Sequence, residues 1–215
     1  MKKNNYKKNI YKEYLYKGQM GRLFNKCHEK MEEYYFENIK NILEVGCGFV
    51  PHINYVRHSF QNYYAVDLPI VKNLHKDIKK NFPNIIFNYY DGKTINFPNN
   101  FFDRIIISHV LEHVLEPEKF IFELMRVLKK GGIISIALPC DPGLAWRLGR
   151  FILKHTYLKN KIKNYDYIMA TEHINSIFNL HVILKSKFNI IKNIFYPFNI
   201  NFIDINLFYI CQIKK

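Results

Sequence analysis

The sequence predicts an α/β domain built on a doubly wound, mainly parallel sheet, and three observations carry that prediction. After Lys40 short apolar runs alternate with amphipathic stretches, which implies right-handed strand–helix–strand crossovers. Acidic residues or glycines follow the first three runs, where an open parallel sheet places its ligands. The last two apolar runs have no helix between them and read as an antiparallel hairpin at the sheet edge. At 215 residues, 48% hydrophobic, the chain suits one domain with a full core and helical extensions.

Taken in order, Ile10 to Asn38 is helical in pattern, with Tyr11, Leu15, Leu23, Phe24, Cys27 and Met31 at three- and four-residue spacings. Gly18 and Gly21 are expected to break it into two helices, giving an N-terminal helical cap over residues 1–39. The domain proper is assigned to 40–215. NILEV, NYYAV, NIIFNYY, FDRIIIS and IISIALP read as strands, and PIVKNLHKDIKKNF as a helix. EPEKFIFELMRVLKKGG reads as a second helix, with Pro117 and Glu118 in its first turn, Lys129 and Lys130 in its last and Gly131-Gly132 as its stop. FNIIKNIFYPF and INLFYICQIK, joined by a short link, complete the sheet.

No apolar run approaches the roughly 18 residues of a membrane span, and the basic N-terminus lacks the apolar stretch of a signal peptide. Cys27, Cys47, Cys140 and Cys211 are scattered without a CxxC pair. A reduced, cytoplasmic setting is the expectation. The net charge of +14 raises a nucleic-acid partner. However, Lys far outnumbers Arg, and abundant Lys, Asn, Ile, Tyr and Phe fit codon bias, so nucleic acid is the disfavoured reading.

The chemistry gathers at the strand ends. Gly46 and Gly48 permit close backbone approach of a ligand, and Glu44 just before them suits a cationic, ammonium-bearing group. A dinucleotide fingerprint would place a small residue where Pro51 stands, so that reading is weak. Asp67, ending the second strand, can accept hydrogen bonds from both hydroxyls of a ribose, and Asp91 after the third can accept from an adenine amino group.

ILEVGCG, AVDL and DGKTINFPNNFFDRIIISHVLEHV together resemble the successive motifs of the class I S-adenosylmethionine-dependent methyltransferases, in their small-molecule, type 11-like branch, over roughly residues 40–138. The resemblance implies a Rossmann-like fold and S-adenosylmethionine as cofactor, with S-adenosylhomocysteine as product. It puts Glu44 near the methionine amino group, Asp67 on the ribose and Asp91 near the adenine, with Gly46, Cys47, Gly48, Leu68, Gly92 and Ser108 lining the same pocket. Val50 departs from the GxGxG form common in the family; a slight shift of a helix starting at Pro51 is expected to accommodate it.

Two other patterns overlap these motifs. His109-Val110-Leu111-Glu112-His113 matches the HxxEH zinc-peptidase signature, with Glu172 a nominal further ligand. It sits inside a methyltransferase motif that commonly reads LEH, so no metal is expected. Pro139-Cys140 follows the fifth strand, as in RNA cytosine methyltransferases, yet the companion Pro-Cys after strand four is missing. Cys140 is therefore read as a buried loop residue.

For the reaction, His109, His173 and His113 are the candidate bases, with His109 and His173 ranked first. Residues 141–170 read as a helical lid insertion after strand five. Asp141 is expected to cap a helix begun by Pro142, and Leu144, Leu148, Phe151, Ile152, His155 and Leu158 form one stripe. Arg147, Arg150, Lys154, Lys159, Lys161 and Lys163 occupy the rest of its surface, and Arg147 and Arg150 are the candidate substrate-binding residues. The function read from this is O- or N-methylation of a small anionic acceptor, such as a phosphorylated, nucleotide-linked or sugar intermediate of surface-polysaccharide biosynthesis. Competing readings are an RNA methyltransferase and a non-catalytic binder of the cofactor. A peripheral membrane contact through the basic lid helix is a further one.

Overall fold

A seven-stranded sheet of order β3-β2-β1-β4-β5-β7-β6 forms the middle layer of the computed structural model, which describes residues 18–34, 37–156 and 164–215. The strands are β1 (Asn41–Val45), β2 (Asn62–Asp67), β3 (Ile85–Tyr89), β4 (Phe102–Ser108), β5 (Leu128–Pro139), β6 (Ile190–Tyr196) and β7 (Phe208–Lys214). The first five are parallel. β7 inserts antiparallel between β5 and β6, so the terminal hairpin supplies both the sixth place in the sheet and its edge. The order reverses between β1 and β4, and the ends of these two strands carry the Gly46 loop and His109.

Alternation along the strands divides the core into two layers. Leu43 and Val45 of β1 face one way, with Ile105 and Ile107 of β4, toward helices α3 (Pro117–Val127) and α6 (Ile177–Lys187). Ile42 and Ile106 face the other way, with Tyr63 and Ala65, toward α1 (Gly18–Met31), α2 (Lys72–Asn81) and α4 (Leu144–Thr156). Phe24, Cys27 and Met31 bury one stripe of α1 in that second layer, and Gln212 of β7 donates to the Met31 carbonyl at 3.0 Å. Under the same helix lies a closed polar chain. His28 Nδ1 meets His52 Nδ1 at 3.0 Å, His52 Nε2 meets Glu32 at 2.8 Å, and the buried Arg104 pairs with Glu32 at 2.5 Å.

Several sequence expectations are corrected. Gly21 lies inside α1 rather than breaking it, because the apolar stripe docked on the sheet outweighs the propensity cost of one glycine, about 1 kcal/mol; Tyr11 and Leu15 lie outside the described residues. Pro51 begins only a 3₁₀ turn, Pro51–Asn54, not a full helix. α3 ends at Val127 instead of at Gly131: Leu128 is extended, fully buried and paired with Phe102. Burial of Leu128 overrides the basic-residue and glycine stop signals. The link between β6 and β7 is not short, running from Pro197 to Leu207 and including a 3₁₀ turn at Ile203–Ile205.

The lid differs most. Asp141 caps nothing; α4 starts at Leu144, whose N–H is taken by Asp204 of the β6–β7 link at 3.1 Å. The stripe of Leu144, Leu148, Phe151 and Ile152 faces solvent, each about half exposed or more (49–64%). Trp146 and Leu153, on the opposite side, make the packing contacts. Leu158, Lys159, Lys161 and Lys163 lie outside the described residues. A second lid helix, α5 (Tyr165–Glu172), leads to His173, and Ser176 caps α6 by accepting from the Asn179 N–H. Among the described residues no helix is long and apolar enough to cross a membrane.

Candidate active site

β1 delivers the Gly46–Gly48 loop to the carboxyl edge of the sheet. Gly46 has φ +64° and Gly48 has φ +46°, the left-handed region that glycine enters without a side-chain penalty. A Cβ at Gly46 would stand 2.4 Å from Cγ2 of Val110, whereas one at Gly48 would meet only open space. The loop is thus pressed against the turn after β4 on one side and left clear on the other. Val50 shares this left-handed geometry, with φ 55° and ψ 49°, while its side chain is fully buried. The third glycine of the common motif would fit here because of the backbone conformation, and no shifted α-helix accommodates the Val. A β-branched residue in this region costs about 1–2 kcal/mol, which its burial offsets.

The strand-end acids are placed differently from one another. Asp67 bridges the loop: its Oδ2 accepts from Gly48 N–H at 2.8 Å and its Oδ1 from Leu68 N–H at 2.7 Å. Burial raises its pKa, and those two N–H groups oppose the rise. Each oxygen keeps a lone pair for a ribose hydroxyl. Glu44 lies deeper, 3% exposed, with Tyr63 Oη donating to its Oε2 at 2.7 Å. Burial pushes this carboxyl up to about 8, partly checked by the Tyr63 hydrogen bond. Asp91 is exposed, and its Oδ1 accepts from the N–H groups of Lys93 and Thr94, both at 2.8 Å, folding its own loop around Gly92, φ +85°. Cys47 is buried in the loop, Leu68 is 42% exposed, and the Ser108 Oγ is buried without a hydrogen-bond partner.

His75 was missed by the sequence reading. Its Nε2 lies 3.0 Å from the Gly48 carbonyl and 3.6 Å from Cys47 Sγ, and its ring stacks on Phe87 at 4.4 Å. Its place in the apolar stripe of α2, beside Leu74 and before Ile78, was the available signal. A cavity of about 320 Å³ behind the loop, lined by Phe49, Pro51 and Ile78 among others, holds none of these acids.

The turn after β4 forms the other half of the site. His109 has φ 55°, a strained conformation of a kind that concentrates at functional sites. Its ring packs edge-on against Phe24 of α1 and Phe208 of β7, its Nδ1 faces Glu112 Oε1 at 3.7 Å, and its buried Nε2 has no protein partner. Leu111–His113 is a 3₁₀ turn, so His109 and His113 do not share a helical face as the zinc-peptidase pattern requires. Glu112 is fully enclosed. Burial opposes its ionisation, but His109 and His113 outweigh that and lower its pKa.

Residues far along the chain complete this half. Asn175, another residue the sequence reading missed, donates from Nδ2 to the Leu111 and Val114 carbonyls, and its N–H donates to the Glu112 carbonyl. It staples the segment after α5 to the β4 turn. His173 thereby meets His113, their ring centroids 5.0 Å apart. His173 Nδ1 is held by Asp141 at 2.8 Å, and Arg150 binds the same carboxylate oxygen at 2.9 Å. Arg150 is therefore engaged inside the protein, while Arg147 is exposed. Cys140 is buried, with its thiol pushed up to about 12 by burial, which suits a packing residue and not a nucleophile.

A Rossmann-like sheet with a glycine loop at its first strand, an acid closing that loop from the second and a histidine turn against it defines a class I methyltransferase fold. Residues 43–136 match the family model of a methyltransferase domain, type 11. Residues 43–136 thus carry a methyltransferase domain of type 11, set in the fold of the S-adenosylmethionine-dependent methyltransferases. It is 41% identical over 64 residues to the ubiquinone/menaquinone biosynthesis C-methyltransferase UbiE of Coxiella burnetii, 30% of this chain and 26% of that protein. It is 39% identical over 59 residues to a demethylmenaquinone methyltransferase of Renibacterium salmoninarum, 27% of this chain and 25% of that protein. The matched stretch thus spans about a quarter of these curated relatives.

Among solved structures, the N-methyltransferase NodS of Bradyrhizobium japonicum, bound to S-adenosylhomocysteine, aligns with TM-score 0.66 at 12% identity, over 98% of this chain and 96% of that one. The [4+2]-cyclase SpnF aligns with TM-score 0.65 at 14% identity, over 93% and 83%. At such identities the likeness is one of fold. The residues present fit the family's cofactor on their own evidence: the clear space over Gly48, the lone pairs left on Asp67, the unpartnered Ser108 Oγ and the buried Glu44 carboxyl.

Proposed function

We propose that the protein transfers a methyl group from S-adenosylmethionine to a proton-bearing oxygen or nitrogen of a small acceptor, with His109 as the base. The observation that carries this reading is the contact of the His109–Val110 turn with Gly46, so close that no Cβ fits between them. The base and the cofactor loop are thereby held as one unit. The cofactor supplies an activated methyl on a sulfonium. Gly46, Gly48 and Asp67 hold the cofactor, with Asp91 and Leu68 at its outer end and Glu44 at its cationic end. Alignment of this kind is worth roughly 7–11 kcal/mol. His109, with Nδ1 toward the ionised Glu112, accepts the acceptor's proton; a placed base adds about 10²–10⁴-fold. His113 and His173 line the wall opposite the cofactor.

An anionic acceptor, such as a phosphorylated or sugar intermediate for surface polysaccharide, is the substrate reading that the exposed Arg147 supports. Arg150 contributes by holding Asp141 and, through it, His173. A second reading has its own observation. The exposed stripe of Leu144, Leu148, Phe151 and Ile152 favours an apolar acceptor, and the relatives matched in sequence are named for quinone biosynthesis. That reading transfers the methyl to carbon.

Label transfer tests these readings. The full chain is incubated with methyl-labelled S-adenosylmethionine and a cell extract, which is then split into polar small molecules, lipids and RNA. Label among polar small anions is the expected result, and His109→Ala should lower its rate about 10²–10⁴-fold with cofactor affinity unchanged. Label in the lipid fraction establishes the apolar acceptor instead. Label in RNA overturns both, and no label with intact cofactor binding means a non-catalytic binder.

A further inference from the structure

The geometry points to a divalent metal site formed by Glu112, His113 and His173 on the acceptor side of the candidate active site. One ligand atom from each of the three residues lies within 4.8 Å of the others, and His113 Nε2 is 3.9 Å from Glu112 Oε1. Ligand atoms set about 2.0–2.2 Å from a zinc-like ion stand about 3.0–3.5 Å apart, so closing the His113–Glu112 pair asks for a shift of about half an ångström. The sequence pattern did not suggest this set: it linked His109 with His113, whereas the fold brings His173 from sixty positions beyond His113.

Tautomers and orphan atoms favour a ligand here. His113 Nδ1 lies 2.7 Å from the Glu172 carbonyl, which can only accept, so Nδ1 carries the hydrogen and Nε2 presents a lone pair. His173 Nδ1 faces the Asp141 carboxylate at 2.8 Å, which sets its Nε2 in the same state. Carbonyl or carboxylate behind Nδ1 and a bare Nε2 in front is the arrangement that orients metal-ligating imidazoles. Independently, Glu112 is 2% exposed and its Oε2 is buried with no hydrogen-bond partner. Leaving a buried carboxylate oxygen unpaired is costly, and a cation removes that cost.

Two imidazoles and one carboxylate select a borderline ion such as Mn²⁺, Fe²⁺, Co²⁺ or Zn²⁺ over Ca²⁺ or Mg²⁺, which prefer oxygen shells. Three protein ligands leave at least one position open. Its use rests on the methyl-transfer reading: held by Glu112, His113 and His173, such an ion would supply Lewis acidity that lowers the pKa of an acceptor hydroxyl, with His109 remaining the proton acceptor of that reading. The acceptor class narrows accordingly to compounds with a metal-binding hydroxyl.

The test is a titration of the chelator-treated full chain with Co²⁺ alone, followed by visible d–d absorption. One-to-one saturation is expected, with affinity reduced at least about tenfold by His173→Ala and by Glu112→Gln, and about 10–100-fold by Asp141→Asn, which leaves the three ligands in place. His75→Ala, in the other cluster of possible ligands (Cys47, Asp67 and His75), should leave the titration unchanged. Circular dichroism melts confirm that each variant is folded. Absence of a saturable spectrum, or one that survives His173→Ala or is lost in His75→Ala, overturns the site. Cofactor affinity is measured separately on the same samples. Cofactor binding without Co²⁺ binding removes the metal and leaves the methyl-transfer reading; Co²⁺ binding without cofactor binding does the reverse.

Discussion

The two halves of the site are built from different kinds of sequence. The glycine-loop half comes from strand ends within residues 44–92, where Glu44 and Asp67 lie in β1 and β2 themselves and Gly46, Gly48 and Asp91 follow their strands within three residues. The other half joins the β4 turn to Asp141, His173 and Asn175, residues up to 64 positions downstream, through hydrogen bonds that no local pattern announces. Local geometry secures the first half. The second depends on how the lid segments return to the sheet, and there the expectations needed most correction.

Substitutions should separate the halves, beginning with the largest effect. Asp67→Ala removes a charged acceptor and unties Gly48 from β2, so cofactor affinity should fall about 10–100-fold by isothermal titration. Unchanged affinity would sink the ribose assignment and with it the view that strand ends alone specify this half. Glu44 gives a pH signature. Its folded pKa is raised to about 8, so in the free protein it is largely protonated at neutral pH. A cationic ligand end beside it favours the ionised form. Binding should therefore release a proton, and affinity should climb by up to about tenfold per pH unit as pH rises toward about 8, then level off. Glu44→Gln should flatten that profile; a flat profile in the unsubstituted protein would place the cationic end elsewhere.

The smallest effect belongs to Val50→Gly. It relieves about 1–2 kcal/mol of left-handed strain and gives up about 1.5–3 kcal/mol of burial. The melting temperature should shift by only a few degrees, with cofactor affinity within about twofold. A large loss of affinity would show that the Val50 side chain itself shapes the pocket.

Legibility follows the range of the interactions. Periodicity exposed β1 to β5, the terminal hairpin and the glycine loop, because alternation and turn chemistry are written in neighbouring residues. The end of α3 was misplaced because Lys129, Lys130 and Gly131 are good stop signals, yet burial of Leu128 against Phe102 had already ended the helix. The spacing of Leu144, Leu148, Phe151 and Ile152 marks an apolar stripe but not the direction in which it faces, and the stripe lies on the solvent side. Trp146, a single large residue packed 5.7 Å from the Phe208 ring, sets the orientation instead.

By itself, then, the sequence determined the sheet, its switch point and the place of the glycine loop, since those rest on residues adjacent in the chain and on a period of two or about three and a half. Only the tertiary structure decided that Asp141 holds His173 and Arg150 instead of capping a helix. It alone set the left-handed backbone at Val50 and His109, and gathered His113, His173 and Glu112 around one point. The physical reason is that a side chain's role there is chosen by partners up to 64 residues away, through burial and hydrogen bonds available only where the lid segments pack against the sheet.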